Sequence, residues 1–247
     1  VRLFYDFDGV QLYHGDARRL DALAENSIQM VITSPPYWNA KAYSNWPTYD
    51  AYLADMARDW AECYRVLCDG GRIAVNVLHG YNRPGNGGYK PMDAHTTLSL
   101  LDVGFALRGH IIWDKAYGGQ ATHTAWGSWQ SASNPSLRDV HETIIIAYKG
   151  RAGREGESTI GRDDFLLSTR SVWHISPERN WHPAPFPAEI PRRLVELYTF
   201  KGDTVLDPFS GSGTTAFTAA RLARRGIGVE LNEEYVIRSA GPLLVVA

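Results

Sequence analysis

Short runs of β-branched and aliphatic residues, each closing on turn-forming residues, alternate along the chain with stretches in which apolar residues recur every three or four positions. The first pattern fits a buried strand and the second an amphipathic helix. Their alternation is the sequence form of a doubly wound, mostly parallel α/β sheet with helices on both faces. Gln29-Met30-Val31-Ile32-Thr33, Arg72-Ile73-Ala74-Val75-Asn76-Val77, Thr204-Val205-Leu206 and Gly226-Ile227-Gly228-Val229 predict strands, and residues 107–113 and 143–149 predict two more. Between the first two, Tyr49, Tyr52, Leu53, Met56, Trp60, Tyr64 and Leu67 share one helical face, and Asp69-Gly70-Gly71 is expected to stop that helix. The aromatic stripe reads as core rather than as a ligand site.

Two segments break the pattern. Residues 114–142, rich in Gly, Ser, Trp, His and Asn, form a connection longer than a compact domain needs, and such connections are usually functional or disordered. Residues 150–181 are irregular and arginine-rich, with apolar character only at Phe165-Leu166-Leu167 and Val172-Trp173. After Glu233-Glu234-Tyr235 the helical pattern runs into Gly241-Pro242, so a shortened last helix or a trimmed chain is expected.

The 247 residues, 44% of them hydrophobic, suffice for one substantial core and one main domain. A net charge of −2 gives no global basic signature, so a nucleic-acid partner would have to meet a local patch. Cys63 and Cys68 lie in one apparently helical stretch without zinc-site spacing; they read as reduced thiols, and no metal is expected. No apolar run approaches the roughly 20 residues of a membrane span and no signal segment opens the chain, so the expectation is a cytoplasmic protein with no membrane partner.

Thr33-Ser34-Pro35-Pro36-Tyr37-Trp38 directly follows a strand, at the sheet edge where open α/β folds place ligands. Two prolines stiffen the turn, and the Ser34 hydroxyl and Pro35 carbonyl can offer two acceptors beside an aromatic face. That suits an aromatic exocyclic amine, whose lone pair is delocalised into the ring. Acceptors on both N–H groups favour a more tetrahedral nitrogen and stabilise the positive charge that develops as it attacks an electrophile. Alone, the motif could equally be a packed Pro-Pro turn. Residues 205–215, VLDPFSGSGTT, add a strand, a glycine-rich loop and a helix start at Thr214 or Thr215. Gly211 and Gly213 allow close backbone approach to a ligand, and no lysine follows Gly202, which argues against a triphosphate loop. Glu230, at the end of the next strand, is placed for ribose hydroxyls.

At these residues the chain resembles the beta class of DNA amino-methyltransferases, the circularly permuted group in which the catalytic motif precedes the cofactor motif. The resemblance implies a Rossmann-like methyltransferase fold that takes S-adenosylmethionine and releases S-adenosylhomocysteine, and covers most of the chain. Ser34, Pro35, Pro36 and Tyr37 match the catalytic motif, with Tyr37 stacking on the base. Asp207, Pro208, Phe209, Ser210, Gly211, Gly213 and Thr214, with Thr33 across from them, match the cofactor site, and Glu230 the ribose carboxylate. His14-Gly15-Asp16 is similar to the motif whose aspartate contacts the adenine; read by itself, Asp16 is a helix N-cap. In His182-Pro183-Ala184-Pro185-Phe186-Pro187, before an amphipathic helix, His182 and Phe186 match walls of the cofactor pocket. The resemblance divides the domain into a catalytic half (1–149), a short target-recognition segment (150–181) and a cofactor half (182–247).

Serine at position 34 implies cytosine N4 as the amine, where adenine-modifying relatives usually carry aspartate; adenine N6 is the alternative. The base must be flipped from the duplex or already single-stranded. Trp38, Lys41 and Tyr43, the loop 81–90, and Trp126, Trp129 and Arg138 are candidates to hold the DNA, although the two tryptophans could instead pack a loop and Arg138 pair with Asp139. The resemblance leaves open a homodimer and a cognate restriction endonuclease. Rival readings are a non-catalytic nucleic-acid-binding module of the same fold and an RNA or protein-glutamine methyltransferase.

Overall fold

The computed structural model describes residues 1–38, 44–80, 88–116, 127–137, 139–178, 181–185 and 187–244. In chain order its elements are β1 (Arg2–Phe7), β2 (Val10–His14), β3 (Ile28–Thr33), α1 (Tyr49–Val66), β4 (Leu67–Leu78), α2 (Met92–Val103), β5 (Ala106–Asp114), β6 (His141–Tyr148), α3 (Arg162–Ser168), β7 (Val172–His174), α4 (Glu189–Tyr198), β8 (Thr204–Asp207), α5 (Thr214–Arg221), β9 (Arg225–Glu230) and α6 (Glu233–Leu244). The strands form one sheet in the order β1-β2-β9-β8-β3-β4-β6-β5-β7. Every neighbour from β2 to β4 is parallel. β6 reverses direction between β4 and β5, and β1 reverses at the edge. The mostly parallel, doubly wound architecture is therefore what forms.

β3 lies near the middle, and its unbroken apolar run follows from burial on both faces. Val31 joins Trp60, Tyr52 and Met56 of α1 in the core of one face, while Met30 and Ile32 meet Ile190, Leu194 and Val195 of α4 on the other. Met30 pairs with Val205 and Val31 with Leu206, so β3 and β8 end side by side although far apart in sequence. The serine-proline turn and the glycine-rich loop consequently leave the same edge of the sheet.

Four expectations change. α1 ends at Val66, where the Leu67 N–H bonds back to the Cys63 carbonyl, because Leu67 already pairs with Ile28 of β3. Asp69-Gly70-Gly71 instead form a bend inside β4, with Gly70 at φ 78° and its N–H on the Lys149 carbonyl, so Cys68 is a strand residue. Residues 150–181 are not wholly irregular: they contribute α3 and the edge strand β7, which pairs with β5. The last helix is not shortened, since α6 continues through Gly241 and Pro242 to Leu244. Val236 and Ala240 pack beneath it on Val10 and Leu12 of β2. No described helix is long and apolar enough to cross a membrane. Among the described residues there is no cluster of three or more His, Cys, Asp or Glu that could hold a metal.

Candidate active site

At the carboxyl ends of β3, β8 and β9 lies a cavity of about 830 Å³ whose wall includes Ser34, Tyr37, Phe209, Gly211, Glu230 and Asp16. Pro35 and Pro36 also line it, as do Pro208, Ser210 and Thr214. Ser34 Oγ sits 3.0 Å from Tyr37 Oη, and Tyr37 Oη donates to Glu142 Oε2 over 2.9 Å. The Asn76 amide donates to that same carboxylate oxygen, and Lys115 Nζ bonds the other at 2.7 Å. Burial, and then the charge of Glu142, push the Tyr37 phenol well above its ordinary pKa, so it remains a neutral donor.

The loop after β8 is shaped from below. The Asp207 carboxylate, 1% exposed, accepts the Thr33 hydroxyl at 2.7 Å and the Phe209 N–H at 3.1 Å. Burial raises its pKa to about 6. Thr33 and Asp207 thus support the two loops and are not on the cavity wall. Gly213, at φ 79°, begins α5 and is likewise off the wall. Gly211, at φ 51°, does line the cavity, and a Cβ there would come within 3.0 Å of His182 Nε2, so His182 rests on the loop where only glycine fits. Glu230 accepts the Gly211 N–H at 2.9 Å and the Asn232 N–H at 2.8 Å, with burial raising its pKa against these bonds.

Asp16 closes a turn rather than a helix, accepting the Arg18 N–H at 2.9 Å and the Arg18 guanidinium at 2.6 Å; the hydrogen bond from that side chain holds its carboxyl below the usual range. Arg18 also reaches Asp55 of α1 at 3.0 Å. Asp55, Met56 and Asp59 all face the cavity, so α1 is both core and site wall, a double role missed in the hydrophobic stripe. Burial, then the charge of Asp16, push Asp59 up to about 8, which makes it a protonated donor at neutral pH. Asn76 and Glu142 were missed as well. Their signal was a polar residue inside or adjoining an apolar strand run, Val75-Asn76-Val77 and Glu142-Thr143-Ile144.

The residues expected at the DNA divide. Trp38 is 5% exposed and packs edge-on against Tyr49 at 5.1 Å, so it belongs to the core and not to a strand-binding surface. Trp129 is 63% exposed. Lys41, Tyr43, Trp126, Arg138 and Phe186 lie outside the described residues. In the arginine-rich segment, Arg151 and Arg154 pair with Asp69 and Asp203, at the amino ends of β4 and β8 and away from the cavity, whereas Arg162 and Arg170 are exposed.

Among the described residues, five carboxyl groups, Asp16, Asp55, Asp59, Glu142 and Glu230, line the cavity beside the single guanidinium of Arg18. This surface repels a polyphosphate and suits a ligand that combines positive charge with hydroxyl groups.

Comparison with known proteins agrees with that chemistry. A DNA methylase family model, that of the N6 and N4 methyltransferases, matches residues 28–240. The Type II beta methyltransferase M.BslI of Bacillus sp. (strain NEB-606) is 30% identical over 92% of this chain, which spans 27% of that longer protein. The structure of the DNA modification methylase TTHA0409 from Thermus thermophilus, complexed with S-adenosyl-L-methionine, superposes with a TM-score of 0.78 at 32% identity, covering 95% of this chain and 93% of its own. The cytosine-N4-specific PvuII DNA methyltransferase gives a TM-score of 0.75 at 25% identity, covering 94% and 85%. The fold, the paired loops and the family match agree: the chain belongs to the DNA methylase family of N6 and N4 methyltransferases.

Proposed function

We propose that this chain transfers a methyl group from S-adenosylmethionine to the exocyclic N4 amine of a cytosine turned out of DNA. The observation that carries the reading is the meeting of two loops on one cavity: the Ser34 turn after β3 and the glycine-rich loop after β8, on adjacent strands of the sheet. When bound, S-adenosylmethionine supplies a sulfonium methyl group open to attack by the amine. The chain's own groups suit it. Glu230 keeps lone pairs for ribose hydroxyls, ionised Asp16 accepts from the adenine amine, and the loop 208–213 with His182 encloses the methionine end.

Ser34 and the Pro35 carbonyl take the two N–H groups of the target amine, which aims its lone pair and stabilises the charge that develops on nitrogen. The chemistry is a direct transfer. Neither cysteine takes part, since Cys63 is buried in the core, its thiol pushed up well above its ordinary pKa by burial first, and Cys68 lies at the opposite end of β4. Cytosine is favoured over adenine by serine at position 34 and by the likeness to the cytosine-N4-specific PvuII enzyme. Exposed Trp129 is an aromatic of the kind on which displaced bases stack.

The test is nucleoside mass spectrometry of DNA incubated with the protein and S-adenosylmethionine. N4-methylcytosine is the expected product. N6-methyladenine alone would overturn the choice of base, and methyl transfer only to RNA or protein would overturn DNA as substrate.

A further inference from the structure

We propose that Glu142 is a positioning residue for methyl transfer, acting through Tyr37 to set the direction of the Ser34 hydroxyl; this rests on the reading of Ser34 as acceptor for the target amine. A hydroxyl carries one proton and two lone pairs. If the Ser34 proton pointed into the cavity, it would face the N–H of the amine, donor against donor. Something must draw it aside.

The structure provides the means. Tyr37 Oη is 3.0 Å from Ser34 Oγ and has one proton of its own to place. Two acceptors compete for it: Glu142 Oε2 at 2.9 Å and the Asn76 carbonyl at 3.4 Å. The carboxylate is nearer, and a charged acceptor outcompetes a neutral one. Tyr37 therefore donates to Glu142, and its lone pair takes the Ser34 proton. A lone pair of Ser34 Oγ is left for the cavity, which Ser34 lines.

Glu142 is itself fixed from two other strands. Lys115, just beyond β5, holds Oε1 at 2.7 Å, and the Asn76 amide, from β4, donates to Oε2. The aligned chain of dipoles from Ser34 through Tyr37 ends on a carboxylate, and each dipole presents its negative end toward the amine nitrogen, where positive charge gathers. No proton has to travel along it. A purely structural role for the Lys115–Glu142 pair, tying the ends of β5 and β6, would affect folding without singling out turnover.

The experiment compares Tyr37→Phe, Glu142→Gln and Ser34→Ala, singly and combined, for kcat and KM on DNA, Kd for S-adenosylhomocysteine, and Tm. Tyr37→Phe keeps the ring and breaks the chain; Glu142→Gln keeps the shape and lets an amide donor face Tyr37, reversing it. Each should lower kcat about tenfold or more while leaving Kd within about twofold. Glu142→Gln should cost nothing further in a Tyr37→Phe or Ser34→Ala background. Unchanged kcat in the two single variants, or losses that multiply in the double variants, would overturn the proposal. So would a loss seen only in KM and Tm. Should Glu142→Gln not fold, Tyr37→Phe with and without Ser34→Ala carries the same test. The two readings fail separately: full activity in Ser34→Ala removes Ser34 as the acceptor, whereas loss in Ser34→Ala with full activity in the other two removes only the role of Glu142.

Discussion

The turn after β3 and the loop after β8 are neighbours, and each is held from beneath by one carboxylate, yet the two carboxylates sit in unlike surroundings. Asp207 meets a hydroxyl and a backbone N–H, and none of its hydrogen bonds among the described residues comes from a cation; burial dominates and lifts its pKa to about 6. Glu142 meets an ammonium, a phenol and an amide. The first can shape a loop whether or not it carries charge. The second presents a compensated negative charge to the turn where chemistry takes place. A buried acid is thus not one kind of device, and the donors around it decide which kind it is.

The contrast can be broken, beginning with its largest effect. Ser34→Ala should reduce kcat by about 100-fold with cofactor affinity nearly unchanged, as steady-state kinetics and calorimetry would show. Equal loss of both would erase the division of labour between the loops. Asp207→Asn addresses the other side. The native carboxyl keeps its proton up to about pH 6, whereas in the unfolded chain it ionises near pH 4. Its contribution to stability is therefore full below about pH 4 and is lost as pH rises to about 6. Urea unfolding of the two proteins side by side should show the wild-type losing roughly 2–3 kcal/mol relative to Asp207→Asn across that interval. A pH-independent difference would mean that Asp207 is ionised throughout. Glu230→Ala should weaken S-adenosylhomocysteine binding about tenfold, with kcat at saturating cofactor less affected. Unchanged binding would remove Glu230 from the cofactor wall.

Legibility in the sequence followed burial. Strands sheltered on both faces, β3, β4, β6 and β8, announced themselves as apolar runs, and their loops carried the motifs. β1 did not, because it is an edge strand with Leu3, Phe4 and Phe7 exposed, and no alternation of inside and outside marks it. α2 was equally silent: Met92, Thr96 and Leu100 are its buried positions, one of them polar, and its N-cap is Pro91 without a side-chain bond. At the site, Ser34, Gly211 and Glu230 were readable since they sit in the loops or at the strand end facing the cavity. Asp59 and Glu142 were not, because their importance comes from which elements the sheet brings together, and residues 59 and 142 lie in separate segments. Trp38 shows the reverse error. An aromatic beside a catalytic turn looks available for DNA until packing against Tyr49 claims it.

The pairing of β3 with β8 also sets a schedule. The hydrogen bond from Thr33 to Asp207 spans 174 residues of chain. At a synthesis rate of about 5–20 residues per second, β3 leaves the ribosome on the order of 10–30 seconds before its partner. Until then, the edge of β3 that will receive β8 is bare, beside the already completed pairing with β4. The nascent chain can form the turn that would hold a base long before it can form the loop that would hold a methyl donor, so a partly made enzyme has no route to turnover and one strand edge that a chaperone would have reason to cover.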